Sequence, residues 1–140
     1  MKKMNNKGFS LVELIIVIAI MAVLMGVLAP QFIKYVESSR KQKDLSACGE
    51  VANAAQIALS VEEVYNAVVS NDGDTVTIAD GSQVSSNVSE LSAEIIKSIP
   101  DEIDFTSKYF KDTLGNSVSF DVEWNSSSES FQITNKTWEN

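Results

Sequence analysis

The feature that most constrains this chain is an uninterrupted apolar segment close to its N-terminus. Residues 9–29 read FSLVELIIVIAIMAVLMGVLA, and Glu13 is the only charged side chain among them. A helix rises about 1.5 Å per residue, so this segment would cover roughly 31 Å, the thickness of the hydrocarbon core of a bilayer. The segment therefore predicts a membrane-spanning helix.

A secretory signal peptide is the alternative interpretation, because Lys2, Lys3 and Lys7 place positive charge before the apolar segment. Signal peptides usually have an apolar region of about 7–15 residues followed by an A-x-A-like cleavage site. This segment is longer, and Gly26 and Ala29 are one residue too far apart for such a site. The pattern favours a span that is retained.

Composition narrows the possible functions of this 140-residue chain, which has the length of one domain. Its 11 basic and 19 acidic side chains argue against binding to nucleic acid through bulk charge. There is no His and one Cys, so a His-containing triad, a His-ligated metal site and an intrachain disulfide are disfavoured. The carboxylates show no catalytic spacing, and we expect neither an enzyme nor a cofactor.

Residues 7–14, with the sequence KGFSLVEL, are followed by the rest of the apolar segment and Pro30. This arrangement resembles the class III signal of type IV pilins and pseudopilins. The resemblance joins a basic leader, a Gly before an aromatic residue, a Glu five positions further on and a long apolar run. It implies that a membrane-embedded peptidase cuts between Gly8 and Phe9 and methylates the new N-terminus at Phe9.

Glu13 is the candidate assembly residue. An ionisable side chain within a span is costly and usually faces a partner. The resemblance implies that Glu13 pairs with the N-terminal amine of Phe9 in a neighbouring subunit and so sets the axial register. The alternative is that Glu13 reaches the membrane interface and interacts favourably with the N-terminal helix dipole.

Gly26 and Pro30 are the candidate sites of a helix kink. Proline lacks an amide hydrogen and clashes with the preceding turn, so we expect the helix to kink or open locally around residues 22–30. The resemblance implies a stretch that unwinds in the filament. A modest kink at the membrane surface is the alternative.

Residues 31–70 predict an amphipathic continuation of the helix to about Val69. Apolar residues recur there at intervals of three and four in two adjoining rows, one of Leu45, Cys48, Ala52, Ala55 and Leu59, the other of Ala47, Val51, Ala54, Ala58, Val61, Tyr65 and Val68. The small alanines favour packing on a sheet over a coiled coil. Within this face we expect Cys48 to be a buried apolar residue and not a reactive thiol.

Residues 71–140 predict a small globular head. Turn residues at 71–74 precede an alternating strand at 75–79, and residues 88–98 have the pattern of a short helix capped by Asn87 and closed by Pro100. Residues 117–124 and 130–134 predict an antiparallel hairpin. The expected fold is α+β and type IV pilin-like, with the outer half of a long helix packed on a small antiparallel sheet.

Acidic residues near the turns of the head are candidates for calcium. Asp72 and Asp74, with Asp80 nearby, carry the oxygen ligands that calcium prefers. The rest of an EF-hand pattern is missing, and acidic turn residues are commonly solvated only. We therefore assign no metal site from the sequence.

The resemblance implies a structural subunit that assembles as a homo-oligomer in a helical filament. Its implied partners are a prepilin peptidase/methyltransferase, the membrane and a membrane assembly platform. Its implied location is the cytoplasmic membrane as a precursor, oriented by the leader lysines, and then the cell surface. Two alternatives stay open: a pseudopilin of a type II secretion or DNA-uptake system, and a plain membrane-anchored binding module.

Overall fold

A computed structural model describes residues 8–99 and 102–139. The helices are α1 (Leu11–Ala58), α2 (Glu62–Ser70) and α3 (Ser89–Ser98), and the strands are β1 (Asp74–Ala79), β2 (Ser85–Ser86), β3 (Ser117–Asn125) and β4 (Ser130–Thr134). A π-helical stretch covers Tyr109–Thr113. The chain divides into two compact units, Met1–Val36 and Glu37–Asn140. Most of the predicted leader, residues 1–7, lies outside the described residues.

The first unit holds the apolar part of α1. Every side chain from residue 8 to residue 35 is exposed. An 18-residue window of α1 has a mean hydropathy of 3.0 and is 0% buried. By length and composition, α1 is the one helix in the described part of the chain that is able to cross a membrane.

The second unit contains a four-stranded antiparallel sheet with the strand order β2-β1-β3-β4. Val76 of β1 lies opposite Phe120 of β3, and Trp124 of β3 lies opposite Phe131 of β4. The alternation that predicted β3 places Val118, Phe120 and Val122 on its buried face. The predicted hairpin is confirmed with a turn at residues 126–129.

The core of the second unit joins the small residues of α1 to the apolar residues of the sheet. Cys48, Ala55 and Ala58 are at most 1% exposed and belong to the same hydrophobic cluster as Phe120 and Val122. Because alanines have short side chains, the helix backbone can approach the sheet closely. The predicted α+β fold, a long N-terminal helix followed by a small antiparallel sheet, is confirmed.

The predicted helix to about Val69 is interrupted, because α1 ends at Ala58 and α2 begins at Glu62. The N–H of Ser60 binds the carbonyl of Ile57 at 2.9 Å and the N–H of Val61 binds that of Ala58 at 3.0 Å, so the chain tightens into short-range turns. The turn allows α2 to bury Val64 and Val68, which are 3% and 0% exposed. Apolar periodicity continues across the turn, so the sequence pattern does not reveal it.

The predicted cap of α3 is wrong by one residue. Val88, with extended backbone angles, is the N-cap and makes no side-chain capping bond. The N–H groups of Asn87 and Val88 instead bind the carboxylate of Asp74 at 3.0 and 3.1 Å. This contact holds the residues before α3 to a distant strand, and it cannot be read from local sequence. Pro100, predicted to close this helix, lies outside the described residues.

Candidate functional site

The predicted cleavage site lies directly before α1. Residues 8–10 are in neither a helix nor a strand, and Phe9 is 89% exposed. A Cβ atom added to Gly8 would have no heavy atom within 4 Å among its non-neighbours. The peptide bond between Gly8 and Phe9 is therefore exposed in the free chain.

Glu13 caps the helix that follows this site. Its Oε2 atom accepts the backbone N–H of Ser10 at 2.9 Å, and the carbonyl of Ser10 accepts the N–H of Leu14 at 3.2 Å. This is the backward-reaching half of a capping box, in which a Glu at the third helical position satisfies an otherwise free N–H at the cap. In the free chain Glu13 thus makes a local contact at the helix N-terminus.

The apolar side chains of the first unit surround α1 on all sides. From Leu11 to Leu28, the large ones are 48% to 73% exposed. A helix that is apolar all round is stable only when lipid or protein covers it. Lipid can therefore cover this surface in a membrane span, other helices can cover it in a bundle, or both can.

The helix assignment runs unbroken across Gly26 and Pro30, the residues predicted to kink it. Pro30 supplies no N–H to the carbonyl of Gly26, so one backbone hydrogen bond is missing there. A Cβ added at Gly26 would have no neighbouring heavy atom within 4 Å. The kink stays a prediction.

Asp44 is a buried carboxylate that the sequence pattern does not single out. It is 1% exposed, and its oxygens accept the N–H of Thr106 at 3.0 Å and the N–H of Ser107 at 2.8 Å. The hydroxyl of Thr106 adds a third donor at 3.1 Å. Asp44 therefore attaches the segment before the π-helical stretch to α1. Its position in the apolar rows could have indicated that it is buried. The basic residues next to it, however, are typical of an exposed surface.

Cys48 lies one helical turn after Asp44 and is 0% exposed. Burial, assisted by the negative charge of Asp44, raises the pKa of the Cys48 thiol to about 12. A thiol is nucleophilic only as the thiolate. The expectation of a buried apolar cysteine is thus confirmed.

The three acidic calcium candidates do not share one metal site in the structure. Asp74 accepts three backbone N–H groups, at 2.7 to 3.1 Å. Asp80 accepts the N–H of Phe105 at 2.6 Å and forms an ion pair with Lys111 at 3.4 Å. Asp72 lies in the turn after α2 with a φ of 57°. Residues 8–99 and 102–139 contain no group of three or more acidic or Cys side chains able to hold a metal.

Comparison with known proteins finds one matching family model and several relatives. The family model described as the prokaryotic N-terminal methylation motif matches residues 3–29. Prepilin peptidase-dependent protein A of Clostridium perfringens is 29% identical over 124 residues, which cover 86% of this chain and 81% of that protein. The chain is type IV pilin-like.

Two further relatives of this pilin-like chain support the assignment. Two forms of the type IV major fimbrial protein FimA of Dichelobacter nodosus are each 35% identical over 57 residues. Those residues cover 41% of this chain and 36% of FimA, so this similarity is to about a third of the fimbrial protein. No solved structure matches the chain.

The names of these relatives refer to prepilin processing in one case and to fimbriae in the other. The exposed apolar helix agrees with a membrane-anchored precursor and a surface filament. The family-model match covers residues 3–29, which include the N-terminal part of α1.

Proposed function

We propose that the chain is the precursor of a structural subunit of a type IV pilus filament and has no catalytic role. The observation that carries the proposal is the methylation motif at residues 3–29 joined to a helix whose apolar side chains are exposed on all sides. Lipid would cover this helix in the precursor, and copies of the same helix would cover it in a filament.

Maturation removes residues 1–8 and methylates the amine of Phe9, through a prepilin peptidase/methyltransferase. The exposed, non-helical backbone at residues 8–10 supports this step, because a protease cleft binds an extended chain. The test is the intact mass and N-terminal sequence of the native protein. The expected result is an N-terminus at Phe9 carrying one added methyl group. An intact Met1 would instead indicate a membrane-anchored module.

Glu13 sets the register between subunits. One carboxylate oxygen holds the N–H of Ser10, while the other has no hydrogen bond within the described part of the chain. A carboxylate can accept several hydrogen bonds, so the second oxygen is available to the Phe9 amine of a neighbour. Neutralising the charge between helices favours this pairing.

The test of this role is filament yield for Glu13→Ala, with Glu50→Ala as the matched control. Glu50 is also an exposed glutamate of α1. We expect Glu13→Ala to abolish filaments while its level in the membrane is unchanged, and Glu50→Ala to assemble normally. Normal filaments from Glu13→Ala would contradict the register role without affecting the family assignment.

The subunit resides in the cytoplasmic membrane and is assembled at the cell surface by a membrane platform.

Within the filament, Gly26 and Pro30 mark the part of α1 that extends under load, since proline leaves one backbone carbonyl without its usual donor. The test is filament extension under force. Pro30→Ala filaments should extend less than unaltered ones, and equal extension would contradict the kink.

A pseudopilin of a secretion or DNA-uptake system is the second candidate. One comparison favours it. The Clostridium perfringens relative, which matches 86% of the chain, is named for its dependence on prepilin peptidase and not for a pilus. The match to a major fimbrial protein favours the pilus. Electron microscopy of producing cells decides between them, because long surface fibres containing this chain support the pilus and their absence supports the pseudopilin.

A further inference from the structure

We infer that an apolar row on the head of one subunit binds residues 32–43 of a second copy of this chain. The outer row is defined as Ile57, Val61, Tyr65 and Val69. The inference rests on the proposed filament function and names a contact between heads and neighbouring helices that operates in addition to packing of the apolar helices.

The outer row is exposed although it is apolar. Ile57 lies in the last turn of α1, Val61 is the N-cap of α2, and Val69 lies near the end of α2. These three residues are 66%, 38% and 43% exposed. Val64 and Val68 already bury the inner face of α2 in the core. The outer row therefore contributes little to the core of its own subunit and is available to a partner.

Aromatic side chains widen this surface. Tyr65 makes edge-to-face contacts with Trp124 at 5.7 Å and Phe131 at 5.3 Å between ring centroids. All three rings are half-buried. Aromatic rings at a surface favour contact with apolar or cationic groups of a partner.

Acidic residues surround the outer row. Glu62 and Glu63 form the first turn of α2, and Glu129 lines the same surface cavity as Tyr65 and Trp124. All three glutamates are exposed. None of them forms an ion pair within the described residues. The matching partner is therefore apolar with basic residues close by.

Residues 32–43 of α1 have this chemistry. Phe32, Ile33 and Tyr35 are 67%, 67% and 74% exposed. Arg40 and Lys43 follow, are exposed, and have no ion pair within residues 8–99 and 102–139. Half of the eight bases that follow Gly8 fall in residues 34–43. The two surfaces are complementary in both charge and apolar character.

One chain cannot make this contact with itself, because the two charged ends lie far apart on one helix. A second copy carries the complementary segment. Lys43 and Ala58 belong to the same helix, and at about 1.5 Å per residue they are roughly 22 Å apart along its axis. The contact is therefore heterologous, and such a contact repeated between successive copies generates an open helical filament when the rotation does not close into a ring.

Charge reversal and charge exchange test the contact in filaments of the full chain. Arg40→Glu with Lys43→Glu, or Glu62→Arg with Glu63→Lys, should each lower the yield of sheared filaments about tenfold, because like charges then face each other. Combining all four substitutions should restore the yield to within about twofold. The control, Glu90→Lys with Asp112→Lys, changes the charge of exposed sites elsewhere on the head and should assemble normally.

Cross-linking tests direct contact. In a Cys48→Ala background, cells that produce both Val61→Cys and Arg40→Cys chains should give a disulfide-linked dimer, whereas either chain by itself should not. Filaments that tolerate both reversals and give no cross-link would overturn the inference while leaving the proposed function intact. Failure of the unaltered chain to form filaments would count against the proposed function instead.

Discussion

Asp44 on α1 accepts the backbone N–H of Ser107 at 2.8 Å across 63 positions of sequence. Nearby, Glu37 accepts the N–H of Lys108, and the ammonium of Lys41 lies 3.5 Å from the ring centroid of Tyr109. Three residues of α1 thus contact three consecutive residues, 107–109, at the start of the π-helical stretch. Contacts to α1 help to hold this part of the head, whose Phe105 and Phe110 are also buried in the core.

Removing the Asp44 carboxylate should destabilise the head. Asp44→Ala leaves the N–H groups of Thr106 and Ser107 without their acceptor, which we expect to lower the free energy of unfolding by about 3 kcal/mol. Denaturant unfolding of the full chain in detergent, followed by near-UV circular dichroism, measures the change. Asp112→Ala, at an exposed position, should stay within about 0.5 kcal/mol of the unaltered protein. Equal stability of both variants would contradict the anchoring role.

Cys48 should make stability fall at alkaline pH. Its folded pKa, about 12, is above the ordinary value of 9.0, so the unfolded chain loses the thiol proton first as the pH rises. The free energy of unfolding should therefore decrease above pH 9, by up to roughly 1.4 kcal/mol per pH unit from this group. Cys48→Ala should lack this part of the decrease. Thiol labelling of the folded protein at pH 8 should also be slow, and rapid labelling would contradict the burial.

Gly73 should not tolerate a side chain. Its φ is 105°, and a Cβ there would lie 2.8 Å from the carbonyl oxygen of Val122. Gly73→Ala should therefore lower the free energy of unfolding by about 2 kcal/mol. Gly49 lies inside α1 with no heavy atom near an added Cβ, so Gly49→Ala should raise stability by about 0.5–1 kcal/mol. Thermal unfolding of the two variants side by side checks both signs.

Trp138 should act as a non-covalent staple for the C-terminal segment. It is 5% exposed and meets Phe120 edge-on at 5.8 Å, while the N–H of Thr137 binds the carbonyl of Ser119 at 3.0 Å. Trp138→Ala should cost about 3 kcal/mol and release the segment to proteolysis. Trp138→Phe should cost less than half of that. Protease resistance equal to that of the unaltered chain would contradict the staple.

The sequence predicts elements whose cause is local. The apolar run, the alternation around Phe120 and the turn residues before β1 each act through neighbouring positions, and the structure has the predicted elements there. Asp44 and Asp74 could not be predicted in their roles, because each binds backbone groups that only the fold brings close. Val61 was predicted to be buried on periodicity, yet the turn before α2 leaves it exposed. The position of Glu13 could be predicted, whereas its bond to Ser10 depends on where the helix begins.

The exposed apolar surface of the first unit bears on the energetics of the proposed filament. Lipid tails are as apolar as leucine, so moving α1 from a bilayer into a bundle of identical helices gains little from the hydrophobic effect. That term cannot decide whether a subunit stays in the membrane or joins the fibre. In the proposed filament, packing between helices and the polar contacts of the head decide it instead. The proposed function therefore requires that contacts other than the burial of apolar surface hold α1 in the fibre.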